Sequence, residues 1–539
     1  MRYVYQLKKI KLILLVSISV IITTNQGFAQ LIYQPYSYQF YQKLNSAEYS
    51  PTTSIHTSLK PYLIADSGIV RQMYDSLMMS NVDNTGKSWI HKVLFSGHLA
   101  EVRNKNYTFS IDYLPDLQAG REFESKQTTY LNTRGYQISA TIGSNFFFYT
   151  SGYENQGKFA NYEANYISKT DMIPGEAYNR TFLGYNDWSY ATTLMGYKPS
   201  KAITIVLGED KTFIGDGYRS VLLSDYAANY PLFRLTTDLG PNVQYMAMWA
   251  YMEDPSAVQF NSFTNNRRKW GAFHYIDWNI NKRVSIGFFN ALIAEEANDQ
   301  GKLHGFDVNY IDPLYFSSSL GPSGAGTIPD HTLVGFNGKY KIFNKTTVYG
   351  QLLFDQSLSP VNNSGGKAWQ LGFKGSDLFK VKSLNYLFEY NTAAPYTYAN
   401  RNPIVNYTEL DEPLGDPLGA NFKELLGIVN YSIGRFDLQG EIDYAKSGLS
   451  IGNINYGQDI TLADNINLPP VTTATTGQGL ATTVKYAEGT VAYLLNPKYN
   501  FRLEVGALLR QETNSETSLK TAMITIGLRS SFRDLYHDF

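Results

Sequence analysis

Strict alternation of apolar and polar residues, repeated along most of the chain, narrows the possible fold more than any other feature. In 107–113, Tyr107, Phe109, Ile111 and Tyr113 take one face and Thr108, Ser110 and Asp112 the other. In 436–444, Phe436, Leu438, Gly440, Ile442 and Tyr444 alternate with Asp437, Gln439, Glu441 and Asp443. The same rhythm runs through 499–507 (Tyr499, Phe501, Leu503, Val505, Ala507) and 522–528 (Ala522, Ile524, Ile526, Leu528). A period of two marks a β-strand with unlike faces, because successive side chains leave opposite sides of the pleat.

The first 29 residues follow a different logic. Arg2, Lys8, Lys9 and Lys11 precede an apolar stretch from Leu12 to Ile22, and small residues at Gly27 and Ala29 precede Gln30. This is the pattern of a secretory signal cut between Ala29 and Gln30. The apolar stretch is shorter than the about 20 residues a membrane helix needs, and no later segment comes closer. With no Cys in the chain, a lipoprotein anchor, disulfides and thiolate metal sites are excluded. An exported chain of alternating strands is either soluble or a closed barrel, which satisfies its own backbone in lipid.

Composition separates these two. Charged residues are 17% of the chain, against about 25% in a soluble domain. The polar face of a soluble sandwich calls for more Lys and Glu than that. Tyr is the commonest aromatic, 43 against 30 Phe, and Tyr suits the girdle where a barrel wall meets water. Basic and acidic residues nearly balance, 46 to 47, which argues against nucleic acid as a partner. Short turns at Pro199-Ser200, Gly240-Pro241-Asn242, Asn281-Lys282, Asn344-Lys345, Gly434-Arg435 and Asn496-Pro497 alternate with long polar stretches at 209–230, 294–330, 393–421 and 447–477. Tight turns at one end and long loops at the other are the rhythm of an outer-membrane barrel. The expected fold is therefore all-β: a transmembrane antiparallel outer-membrane β-barrel of about 18 strands, occupying 91–539. Residues 30–90 break the alternation. Asp66-Ser67 begins a helical pattern through Ile69, Val70, Met73, Tyr74, Leu77 and Met78. This segment is expected to form a periplasmic or luminal cap with one short helix.

The densest polar chemistry lies in 206–226. Glu209, Asp210, Lys211, Asp216, Arg219 and Asp225 crowd together around Gly215-Asp216-Gly217, a path that favours glycine. Asp210, Lys211, Asp216, Tyr218, Arg219 and Asp225 are the candidate ligand contacts, for a hydroxylated or charged ligand such as a glycan. The same charges equally suit a loop folded into the lumen and paired with the wall. The glycine spacing does not match a phosphate loop. The seven His residues are dispersed without metal-ligand spacing, and 451–466 does not match a calcium loop. No catalytic residue, metal site or cofactor is expected.

Several segments together resemble a known family. They are Gly215-Asp216-Gly217-Tyr218-Arg219-Ser220 with Leu222-Leu223-Ser224 and Leu235-Thr236-Thr237; Phe273-His274-Tyr275-Ile276-Asp277-Trp278; Gly287-Phe288-Phe289; Asn309-Tyr310-Ile311-Asp312-Pro313; Tyr349-Gly350-Gln351; and Pro417 to Glu424. The ordered set is similar to the Wzi-type capsule-assembly proteins of the outer membrane, and within them runs toward members tied to gliding motility in Bacteroidetes-type bacteria. The resemblance implies an 18-stranded barrel with an obstructed lumen that holds capsular polysaccharide at the surface of a Gram-negative cell. Its implied partners are outer-membrane lipid, surface polysaccharide, and gliding or secretion machinery. Asn290 and Gln356 stand where the family pattern has acidic residues, so no acidic site carries over to them. Three other readings remain open from the sequence: a solute channel, a structural subunit and a hydrolase. The hydrolase lacks a nameable acid–base pair.

Overall fold

The computed structural model describes residues 31–64, 68–80, 82–182, 184–257, 259, 266–312, 330–356, 366–463 and 475–539. Eighteen antiparallel strands close into one barrel. Each pairs with the next in sequence, from Tyr107–Glu122 to Ser518–Ser530. The last then pairs with the first, Met523 opposite Glu122 and Leu528 opposite Leu117. Two short strands attach to this ring. Ala100–Arg103 pairs with Thr108–Ile111, the part of the first strand that the last one leaves free. Arg180–Phe182 pairs with Tyr185–Asp187.

The wall is inside out relative to a soluble protein. In Phe436–Leu449, Ile442 is 67% exposed while Glu441 and Asp443 on either side are buried. In Ser518–Ser530, Ile524 and Ile526 are exposed and Arg529 is buried. An apolar exterior around a polar interior is stable only where the exterior meets lipid. The short turns named from the sequence all lie at one rim, and the long connections at the other. By the usual disposition of such barrels the short-turn rim is periplasmic and the long-loop rim faces outward. One boundary differs from expectation. The strand placed at 499–507 begins at Phe501, because Pro497–Tyr499 forms a 3-10 turn. Tyr499 and Phe501 are buried at the rim rather than facing lipid.

The lumen is filled. Residues 31–64 run inside the barrel, where Leu59–Lys60 pairs with Phe213–Ile214 of an inward-folded connection, 211–229. Leu222 and Leu223 on that connection pack with Phe273, Phe289, Tyr398 and Tyr407 in the largest apolar cluster. Helix α1 (Ile69–Leu77) buries Val70 and Tyr74, one turn apart, against Phe40, Tyr41 and Leu44. The start expected for it at Asp66-Ser67 lies outside the described residues, and Gly68 is the observed cap.

The N-terminal part also holds more than one helix: Tyr38–Tyr41, Asn45–Glu48 and α2 (Trp89–Phe95) accompany α1. The first two are single turns, too short to leave a periodic signal. Position 90, drawn as the end of the cap, falls inside α2.

The chain after Ser530 turns back into the lumen. Phe532 joins the α1 cluster, and Phe539 sits near Tyr162, Tyr166 and Tyr226. This nine-residue tail thus crosses from the periplasmic rim towards the outer one.

Candidate functional site

The candidate residues of 206–226 form a luminal lock. Gly217 lets the connection approach the wall, since a Cβ there would stand 2.1 Å from Glu389 Oε1. The next amide, Tyr218 N–H, donates to that oxygen at 2.6 Å. Asp216 is fully buried and accepts from the hydroxyls of Tyr49 (2.9 Å), Thr57 (2.6 Å) and Ser58 (2.7 Å). Lys339 Nζ lies 3.3 Å away. Burial alone would raise the Asp216 carboxyl, but the ammonium groups of Lys339, Lys374 and Lys60 hold it far below its ordinary range. Arg219 spans two partners, with Nη2 3.0 Å from Glu424 Oε1 and Nη1 3.1 Å from Asp538 Oδ2. Tyr218 OH donates to the same Asp538 oxygen at 2.9 Å. The inward connection therefore ties the N-terminal segment, the wall and the C-terminal tail together.

Asp210, Lys211 and Asp225 lie together around a cavity of about 40 Å³. That is room for a few waters and not for a sugar ring. Tyr33 OH donates to Asp210, and Lys211 Nζ donates to the Gly175 carbonyl. Asp534 lines the same cavity, and burial and the neighbouring Asp225 push its carboxyl up to about 7. The structure thus brings all six candidates into the lumen. Each of them interacts there with another group of the chain, Asp225 with Tyr536.

A larger polar cavity, about 330 Å³, opens at the outer rim. Four long connections meet there. Helix α3 (Asn161–Thr170) supplies Tyr166 and Lys169, and its first turn is held by Glu163, which accepts from Ala160 N–H at 3.0 Å. The connection 394–421 supplies Asp411 from a two-residue hairpin turn between Thr408–Glu409 and Glu412–Pro413. Both turn residues are left-handed (Leu410 φ 49°, Asp411 φ 62°), a strained choice for leucine. The tip is pinned to the wall by Leu410 N–H, which donates to the Glu253 carbonyl at 3.0 Å. The connection 450–479 supplies Gln458 and Asp459, and Ser256 comes from the fourth.

The chemistry of this cavity is mixed. Lys169 Nζ reaches Asp459 Oδ2 at 3.0 Å, and Ser256 OH donates to Asp411 Oδ2 at 2.5 Å. Burial pushes Asp411 up to about 6. Behind the cavity, Glu412 accepts from the amides of Gly175 (2.7 Å) and Ala228 (3.1 Å), and burial pushes it up to about 8. Tyr rings, an amide, hydroxyls and carboxylates around a concave space of this size suit a hydroxyl-rich ligand. Reading the sequence did not single out these residues. The polar runs 393–421 and 451–466 were visible, but which of their side chains converge depends on four separate loops. Residues 464–466 of the second run lie outside the described residues. Among the described residues, no group of three or more His, Cys, Asp or Glu could hold a metal ion.

No protein-family model and no curated protein matches this sequence. Among solved structures the chain is similar to Wzi of Escherichia coli, an outer membrane protein involved in group 1 capsule assembly and a carbohydrate-binding β-barrel. The TM-score is 0.52 at 14% identity, covering 93% of this chain and 100% of that one. It is also similar to OprD of Pseudomonas aeruginosa, with a TM-score of 0.42 at 9% identity and coverage of 78% and 94%. A third is OccAB2 of Acinetobacter baumannii, with a TM-score of 0.43 at 10% identity and coverage of 78% and 97%. At 14% identity the likeness to Wzi is one of fold, that of a closed antiparallel barrel of outer-membrane type.

Proposed function

We propose that this protein is a non-enzymatic outer-membrane barrel that binds surface polysaccharide at its outer mouth and helps keep it on the cell. The observation that carries this reading is the division of space in the barrel. The lumen is crossed by an ion-paired lock, whereas a polar cavity of about 330 Å³ opens where long loops meet the outside. Carbohydrate binding by Wzi, the similar barrel, supports it. Tyr166 and Tyr178 line the cavity and would supply aromatic surface to a sugar. Asp411, Gln458 and Thr461 offer acceptors and donors for hydroxyls.

The test is binding of polysaccharide purified from the producing bacterium to the protein in detergent. Asp411→Asn, Gln458→Ala and Tyr166→Ala should each weaken binding by about tenfold, the effect of one good hydrogen bond or stacked ring. Unchanged binding in all three, with the barrel assembled, overturns the site.

The finer reading places the protein in the gliding-motility branch of the Wzi-type family, near RemB. Its support is the Gly215-Asp216-Gly217-Tyr218-Arg219-Ser220 block and the ordered segments that follow it. On this reading a gliding defect in a deletion strain follows from loss of the polysaccharide coat. Co-purification of gliding or secretion proteins with the tagged barrel would instead make its role in motility direct.

A further inference from the structure

Five of the seven residues of helix α2 are apolar, yet none of them is buried. Trp89, Ile90 and Leu94 are 62%, 63% and 39% exposed. With Val93 they fall on one side of the helix, within an arc of about 140° at 100° per residue. Helix α1, by contrast, has its apolar side covered by the N-terminal segment. The position of α2 is fixed. Asn496 Nδ2 donates to the carbonyls of Val93 (2.7 Å) and Gly97 (2.8 Å), and Tyr499 OH donates to Val93 O at 2.6 Å. These partners sit at the periplasmic turn Pro497–Tyr499, so α2 lies at the short-turn rim. Trp89 Nε1–H donates to the Leu99 carbonyl at 3.1 Å, which satisfies the indole's polar edge and leaves its ring exposed. Just beyond Leu99, Ala100–Arg103 joins the wall, where Val102, Tyr107 and Phe109 face outward and are also exposed.

The bare side of α2 therefore continues the apolar exterior of the barrel past its rim. An uncovered apolar patch of this kind needs a non-aqueous neighbour. Continuity with the lipid-facing wall selects the neighbour, and an indole with its N–H satisfied suits the level of the headgroups. Lys87 and Lys92 flank the patch with the sign that anionic headgroups attract. We propose that α2 is an interfacial anchor that binds the periplasmic leaflet of the outer membrane through Trp89, Ile90 and Leu94. It would fix the depth of the barrel seam, where the first and last strands part and Ala100–Arg103 fills in.

The chain has no Cys, so a single introduced thiol reports one site. The experiment labels Ile90→Cys and, separately, Leu94→Cys with a nitroxide in the full-length protein. The protein is reconstituted in vesicles of phosphatidylethanolamine and phosphatidylglycerol. Collisions with oxygen and with a water-soluble nickel chelate are then compared, with Thr85→Cys in the exposed turn before the helix as the aqueous reference. Retained barrel mobility on unheated gels shows that each variant is folded. The result expected is oxygen accessibility above nickel accessibility at 90 and 94, with the order reversed at 85. Nickel accessibility at 90 and 94 equal to that at 85 overturns the proposal. Protection from both reagents also overturns it, by showing that protein and not lipid covers the helix.

Discussion

Arg219 carries two carboxylate partners in a place almost without water, 1% exposed beside Glu424 and Asp538 at 0% and 4%. Removing its charge leaves both carboxylates buried and uncompensated. Arg219→Met should therefore destabilise the barrel by about 3–5 kcal/mol, read as a lower urea midpoint for loss of the folded band. Lys211→Met should leave polysaccharide affinity unchanged, because the cavity around Lys211 is too small for sugar. A tenfold loss of affinity in that variant would return the site to the lumen.

His537 gives a pH dependence. Burial opposes its charge, but Glu163 at 2.7 Å, with Glu488, holds the imidazolium to about 9. Its folded value lies above the unfolded one near 6.5. The stabilisation, about 3 kcal/mol at most, is thus full below about 6.5 and lost as pH rises through about 9. Hydrogen exchange of the tail amides should accelerate across that interval beyond the intrinsic rate, and His537→Gln should remove the excess.

At this scale the sequence showed an unusual density of charge in 206–226 but not its partners. Glu424, Glu389 and Asp538 come from three distant segments, and only closure of the barrel brings them to Arg219 and Tyr218. Several segments that carry the family resemblance meet in the same way. Gln351 accepts from Val221 N–H at 2.9 Å and donates to Ile214 O at 2.8 Å, and His274 faces the Tyr310 carbonyl at 3.2 Å. The Gln351 bonds are packing contacts of the plug, whereas His274 and Tyr310 meet on the outward face of the wall, beside Trp249 and Trp270.

Strands were legible because a two-residue period is written in each strand by itself. Phe436–Leu449 shows what that period does. Ile442 faces lipid, while Glu441 and Asp443 face the lumen. Lysine at position 442 should cost about 2–4 kcal/mol when the barrel folds into vesicles, measured by urea titration. A cost below about 0.5 kcal/mol would mean that this face does not meet the bilayer. The helices were less legible. Helix α1 spans two turns with a repeating apolar side and could be read from 69–78. Helix α2 could not, because the same residues would suit a strand or a buried turn, and its exposure is a fact of the assembled rim. The tail was visible as a polar run after the last strand. Its return into the lumen is held by partners far away in sequence, among them Glu176, 2.8 Å from Arg533, and Asn155 Oδ1 at 2.9 Å.

On the proposed function, the whole molecule is a barrel that works at its outer mouth while its lumen is locked. Planar bilayers containing the protein should show no steady conductance, because the lock spans the lumen through Arg219, Asp216 and the tail. Steady open-channel currents would favour a transport function. Polysaccharide retention at the outer mouth is tested by the division of surface polysaccharide between cells and medium in a strain lacking the protein. Total synthesis should be normal, with the polysaccharide shifted into the medium and restored to the cells by the wild-type gene but not by the Asp411→Asn, Gln458→Ala double variant. A coat that stays on the cells in the deletion strain would contradict it.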